Sequence, residues 1–347
     1  MSTARTIALM GDTMLGRGVA ERLRKVGPHR LFAPEVQEAV AAADLAVLNL
    51  ECCVSDRGEP WRSPGKLFHF RAPPGAVEAL TWLGVDCVTL ANNHAVDFGF
   101  TALTDTVALL ARAGIRAVGA GATLEQARAA AVLDARGMRI GVVGVTDHPR
   151  EFAAGTTRPG VAHADLRVGV PEWLSAGVAR LRRDTDAVLV TPHWGPNMIT
   201  TPLRYVRRAA ASLTAAGATV VAGHSAHVFH GAAGPVPFDL GDFLDDYAAD
   251  PRLRNDRGLL FVVTLDASGL REVTAVPLVL DFGYTRLAEG RDWDWIRDRF
   301  TAACVSLGTP VEVAAGRLVV RQPGRRPAST ASGASNTSAT TPATHAR

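Results

Sequence analysis

Three imidazoles crowd into the short stretch where the apolar run Thr219-Val220-Val221-Ala222 gives way to Gly223: His224, His227 and His230. Core filling does not explain such a cluster, whereas neutral imidazole is the commonest nitrogen ligand of transition metals. The same kind of residue recurs after other apolar runs: Asp12 after Ile7 to Met10, Glu51 after Leu45 to Leu50, Asn93 and His94 after Asp86 to Ala91, and His193 after Ala187 to Thr191. A single Asp or His at a strand end is most often a cap. Several of them brought to one sheet edge imply that something charged is held there. Two carboxylates, an amide oxygen and imidazoles suit one or two divalent ions, with Mn, Fe or Zn favoured over Ca. His94, next to Asn93, is placed to act as an acid or base without being a ligand. Arg17 and Asn92 are candidate substrate contacts, since a guanidinium matches carboxylate or phosphate. An ion pair with a nearby Asp is the alternative for Arg17. His193 could instead be a core histidine beside Trp194, and His230 either supports the site or lies on the surface.

The elements that must position these residues read as an α/β chain. Strands are predicted at Thr6–Met10, Leu45–Leu50, Asp86–Ala91, Ile115–Val118, Arg139–Val145, Ala187–Thr191, Val236–Leu240, Leu259–Leu265 and Val273–Leu280, with one or two more in Val311–Val320. Buried strands of this kind place ligands just past their carboxyl ends. Helices are predicted at Val19–Val26, Glu35–Ala43, Ala76–Leu83, Phe100–Ala113, Leu124–Ala131, Pro171–Arg183, Arg204–Ala216 and Asp292–Ser306, several closed by Gly. The segments 11–18, 55–75 and 149–170 read as loops. Residues 1–321 are expected to form a single domain. The Ser-, Thr-, Ala- and Pro-rich segment 322–347 is expected to be a disordered tail.

Bulk composition narrows the function classes. With 47% hydrophobic and 20% charged residues, the chain has the makings of a large core. A net charge of +3, with arginines scattered over the helices, gives no footprint for nucleic acid. Cys52, Cys53, Cys87 and Cys304 form no disulfide framework, which fits a reducing compartment. No apolar run nears the ~18 residues of a membrane span, and the four apolar residues Ile7 to Met10 are too few for a secretory signal. The expectation is a soluble, cytoplasmic protein.

The blocks GDTMLGR (11–17), NLE (49–51), ANNHAVDFG (91–99), PHWG (192–195) and AGHSAHV (222–228) resemble, in order, those of the capsule-synthesis CapA family. KLFHFRAPP (66–74) and LGDF (240–243) are lesser blocks of the same resemblance. It implies a calcineurin-like metallophosphatase fold, with two packed β-sheets flanked by helices and a two-metal site at one edge. It further implies Asp12 and His227 on the first metal, Glu51 bridging, Asn93, His193 and His224 on the second, and His94 as general acid. The function implied is metal-dependent hydrolysis of a phosphoester or γ-glutamyl amide by metal-activated water. A non-catalytic accessory protein, binding an anionic polymer or a synthetase partner, is the other reading. The chain departs from the pattern at Met14, where the wider superfamily has an imidazole, and at Asp242, where the family usually has Asn.

Overall fold

A computed structural model describes residues 4–322 of the chain. The strands that matter for the site are β1 (Arg5–Thr13), β2 (Leu45–Leu50), β3 (Cys87–Thr89), β4 (Arg116–Val118), β5 (Ala131–Ala135), β6 (Met138–Thr146), β7 (Ala187–His193), β8 (Val220–Val221), β9 (Asp242–Leu244), β10 (Arg257–Asp266), β11 (Gly269–Asp281), β12 (Tyr284–Leu287), β13 (Glu312–Ala314) and β14 (Arg317–Arg321). The larger sheet runs β13-β14-β11-β10-β1-β2-β3-β4, with β9 alongside the end of β1 and β12 alongside β11. The smaller sheet runs β8-β7-β6-β5, parallel except for β5.

Strand periodicity explains how the two sheets pack. Successive side chains of a strand point to opposite faces, so β1 sends Ile7 and Leu9 into one cluster and Ala8 and Met10 into another. The first cluster lies between the sheets, where Ile7, Leu9 and Val47 meet Ile140, Val142 and Leu189. The second packs under helices α1 (Arg17–Val26), α2 (Pro34–Ala41), α3 (Val77–Leu83) and α4 (Gly99–Arg112), through residues such as Val19, Val36, Leu80 and Leu103. On the far side of the smaller sheet, Val143, Val188 and Val190 pack against the helices Glu172–Asp184 and Arg204–Ala215. The result is helix, sheet, sheet, helix, as the sequence implied.

Some boundaries differ from the sequence reading. β1 continues through Gly11 to Thr13, because the chain pairs with β2 and then with β9 beyond the expected end. Gly11 is required there: a Cβ would lie 1.8 Å from the carbonyl oxygen of Gly241. The helix predicted to reach Ala131 stops at Arg128, and Ala131 opens β5, which pairs with β6 in a hairpin over Arg136 and Gly137. β5 alternates buried and exposed residues, a weak signal in so short a run. The strand predicted at Val236–Leu240 is only Val236–Pro237, and the chain pairs instead at β9. Gln322 is tied down through its N–H to Arg271 O at 2.8 Å, and residues 323–347 of the expected tail lie outside the described residues.

Candidate metal centre

The carboxyl ends of β1, β2, β7 and β8 meet at one rim shared by both sheets. Asp12 pairs in register with Asn49 on β2 and with Asp242 on β9. His193, the last residue of β7, bridges to His224 just beyond β8. Asp12, Glu51, His193, His224, His227 and Asp242 are all buried. His224 Nδ1 lies 3.2 Å from Asp12 Oδ1. His227 Nδ1 lies 3.5 Å from Asp12 Oδ2, 3.8 Å from Glu51 Oε2 and 2.8 Å from Asp242 Oδ1. On the other side of Glu51, Oε1 lies 3.8 Å from His193 Nε2. The backbone here is constrained, with Ser225 at φ 112° and His227 at φ 60°. Side chains in that region carry strain of about 1–3 kcal/mol each, the kind of strain that functional sites retain.

The polar accounting at this rim does not close. Both Glu51 oxygens, His193 Nε2, Asp242 Oδ2 and Asn93 Oδ1 are buried with no hydrogen-bond partner. Buried polar groups are otherwise paired almost without exception. Among the described residues, no Lys or Arg nitrogen comes within 4.0 Å of a carboxylate of Asp12, Glu51 or Asp242. One ligand atom each from Asp12, Glu51, His227 and Asp242 can be chosen so that all lie within 4.8 Å of one another. Burial, and then the charge of Asp12, push the Glu51 carboxyl well above its ordinary range. Burial, and then Asp245 and Asp12, do the same to Asp242. Burial would also raise Asp12, but contact with His224 and the charges of His224, His193 and His227 hold it below the usual carboxylate range. Burial would lower His227, yet Glu51 and Asp12 outweigh it and raise the imidazole. Burial pushes His193 well below its usual value. Excess negative charge with bare acceptors is what a divalent cation would relieve, so the donor set fits one.

His94 stands beside this cluster as part of a dyad. Its Nδ1 is 2.6 Å from Asp97 Oδ2, and Asp97 is held in turn by Phe70 N–H at 2.7 Å and by Lys66 Nζ at 2.7 Å from Oδ1. The ring stacks on Phe70 at 4.0 Å, and Phe70, Tyr247 and His227 follow one another at 5.7 and 5.4 Å. Burial, partly offset by Asp97, pushes the His94 imidazole down to about 4. Arg17 pairs with Asp246 at 3.2 Å and lies over the Phe70 ring at 5.3 Å, with its side chain 37% exposed.

Asn92 and His230 are both buried. Asn92, expected as a substrate contact, makes its hydrogen bonds within the protein. Its amide donates to Asn49 Oδ1 at 2.8 Å and Leu50 O at 2.9 Å, while its Oδ1 accepts from His94 N–H at 3.0 Å. Asn92 therefore braces two rim loops against each other. His230 is not on the surface: it is buried, and its Nε2 contacts Ile199 O at 2.9 Å. Four residues without an assigned role in the sequence reading also matter. Asn49 donates to Asp12 Oδ1 at 2.7 Å, Asp97 and Lys66 secure His94, and Asp242 joins the carboxylate cluster. All four lay within the blocks quoted for the resemblance, but nothing in the sequence says which partners they meet.

Fold and site together define an α/β sandwich with a buried, cation-type rim at the strand ends. The family model described as Bacterial capsule synthesis protein PGA_cap matches residues 6–247, and the chain belongs to that family. A Mycobacterium tuberculosis protein described as a probable polyglutamine synthesis accessory protein is 31% identical over 347 residues, covering 84% of this chain and 89% of its own length. The PGA biosynthesis protein CapA of Bacillus subtilis is 28% identical over 279 residues, covering 78% of this chain and 71% of that one. Among solved structures, the NAD nucleotidase of Haemophilus influenzae aligns at 8% identity and a TM-score of 0.42, over 86% of this chain and 56% of that one. A likeness at that level carries no functional argument. Among the described residues no helix is long and apolar enough to cross a membrane.

Proposed function

We propose that this chain is a metal-dependent hydrolase of capsule or polyglutamate synthesis, acting on a phosphoester or a γ-glutamyl amide. The observation that supports it is the Glu51 carboxylate, buried with both oxygens partnerless between Asp12, His193 and His227. An unsatisfied buried polar group costs about 1–3 kcal/mol, and more when charged. In this reading Asp12 and His227 hold one ion, Asn93, His193 and His224 a second, and Glu51 lies between them, a set suited to Mn, Fe or Zn. Ions bound in this way lower the pKa of a bound water and polarise a phosphoryl or carbonyl oxygen.

The chain's own residues do the remaining work. Asp97 fixes the His94 ring through Nδ1, which leaves Nε2 as a bare base that takes a proton from the attacking water and then passes it to the departing oxygen or nitrogen. Arg17 offers its half-exposed guanidinium to an anionic group of the substrate. The test is to assay purified protein with p-nitrophenyl phosphate esters and γ-glutamyl anilides in added Mn2+, alongside metal analysis. His94→Ala should lower turnover by about 10²–10⁴ while retaining metal. Loss of metal in the same variant would mean that His94 is structural.

A second reading is supported by the description of the Mycobacterium tuberculosis relative as an accessory protein. Here the rim would bind an anionic polymer or serve a synthetase partner without catalysis. Wild-type protein that retains metal, hydrolyses neither substrate class and binds poly-γ-glutamate would favour it.

A further inference from the structure

We propose that Asp242 is a fourth protein ligand of the Asp12–Glu51–His227 position, and that it makes this position the one suited to a hard cation such as Mn2+. The inference rests on the metal reading above and concerns which side chains form its first position. β9 lies parallel to the end of β1 with Asp12 opposite Asp242, so backbone pairing delivers the two carboxylates side by side. Asp242 is 1% exposed, and its Oδ2 has no partner although Oδ1 contacts His227 Nδ1 at 2.8 Å. Both Glu51 oxygens are likewise bare, and the four residues offer ligand atoms within 4.8 Å of one another. Asp245, three residues later and close to Asp242, also keeps a bare Oδ2, but an Asp at this depth can have its acceptors filled. Asp239, three residues before Asp242, does: its Oδ2 accepts from Ala226 N–H and its Oδ1 from Gly241 N–H, each at 2.9 Å.

Met14 shows why the fourth ligand comes from β9. It is buried, and its sulfur accepts from Gly16 N–H at 2.9 Å, so the turn after β1 contributes no imidazole. The position is therefore three carboxylates and one imidazole. In the reading above, the neighbouring position would have His193 and His224, the amide oxygen of Asn93 and a share of Glu51. Carboxylate oxygens suit Mn2+ and Mg2+, while imidazole suits Zn2+. One rim thus presents two positions of different hardness.

The test uses full-length protein stripped with chelator and titrated with MnCl2, free Mn2+ being read by electron paramagnetic resonance. ZnCl2 is titrated separately against a chromophoric chelator. Asp242→Asn is nearly isosteric and keeps an oxygen for His227. It should weaken Mn2+ binding by about tenfold or more, leave Zn2+ binding nearly unchanged, and leave the chelator-treated protein at least as heat-stable as wild type. Mn2+ binding equal to wild type would overturn the proposal, as would equal losses for both ions. Unfolding of the chelator-treated variant, seen by circular dichroism, would overturn it too, by showing that the carboxylate is structural. Wild-type protein that takes up Zn2+ but not Mn2+ defeats this proposal alone, whereas one that takes up neither defeats the metal reading beneath it.

Discussion

The two ends of the same strands carry the same acidic residues and treat them in opposite ways. At the amino ends, Asp44 Oδ2 accepts from Thr6 N–H at 2.8 Å, Asp86 Oδ2 from Ala46 N–H at 2.8 Å and Asp186 Oδ2 from Arg139 N–H at 2.7 Å. Each of these aspartates precedes one strand and caps its neighbour. At the carboxyl ends of β1 and β2, Glu51 and the Asp242 that opens β9 beside β1 are more deeply buried and keep bare oxygens. Residue type alone does not separate a structural acid from a functional one. The filling of their acceptors is what differs between the two ends, and buried polar groups are ordinarily paired.

That contrast can be attacked at both ends. The largest effect on folding is expected at Asp97, whose Oδ1 is paired with Lys66 Nζ at 2.7 Å. Lys66→Met strands a fully buried carboxylate, and breaking such a pair destabilises by about 3–5 kcal/mol, read as a drop in the denaturant midpoint. At the bare end, Glu51→Gln should weaken metal retention by about 100-fold while the chelator-treated protein melts no earlier than wild type. Early melting with metal retained would put Glu51 in the same class as Asp86. At the capping end, Asp86→Ala orphans Ala46 N–H and should cost about 1–2 kcal/mol with metal content unchanged by elemental analysis.

The smallest effect concerns pH. Burial holds His230 at about 4, below its ordinary 6.5, so the unfolded chain binds that proton more readily than the folded one. Its contribution is complete above the ordinary value and is lost as pH falls from 6.5 towards 4. His230→Gln should therefore narrow the gap between melting midpoints measured at pH 7 and pH 5 in chelator.

Much of this was legible in the sequence because the informative signals are local. An apolar run followed at once by Asp, Glu or His marks a strand end, and that pattern located Asp12, Glu51, His193 and His224 before any coordinates. Two sheets flanked by helices followed from the resemblance, while strand-to-helix alternation gave the α/β class alone. What escaped depends on partners distant in the chain. Asn92 looked free until Asn49 and Leu50 were seen to take its amide hydrogens. Lys66 sat in a loop block with no visible acid, because Asp97 lies 31 residues on and meets it only in space. β5 was lost because a helix-like run precedes it and its own alternation spans only five residues. Asp242 was noticed as a departure from family habit, yet only its register with Asp12 explains it.

The close approach of Gly11 to Gly241, sealed by Asp12 N–H donating to Gly241 O at 2.9 Å, has a kinetic meaning. Contacts between residues so remote in the chain close late, since a very long loop must be gathered first. A nascent polypeptide emerging from the ribosome therefore carries Asp12 and Glu51 unassembled until the segment bearing Gly241 has been synthesised. An ion held by the proposed site would be taken up only after that long-range contact has closed.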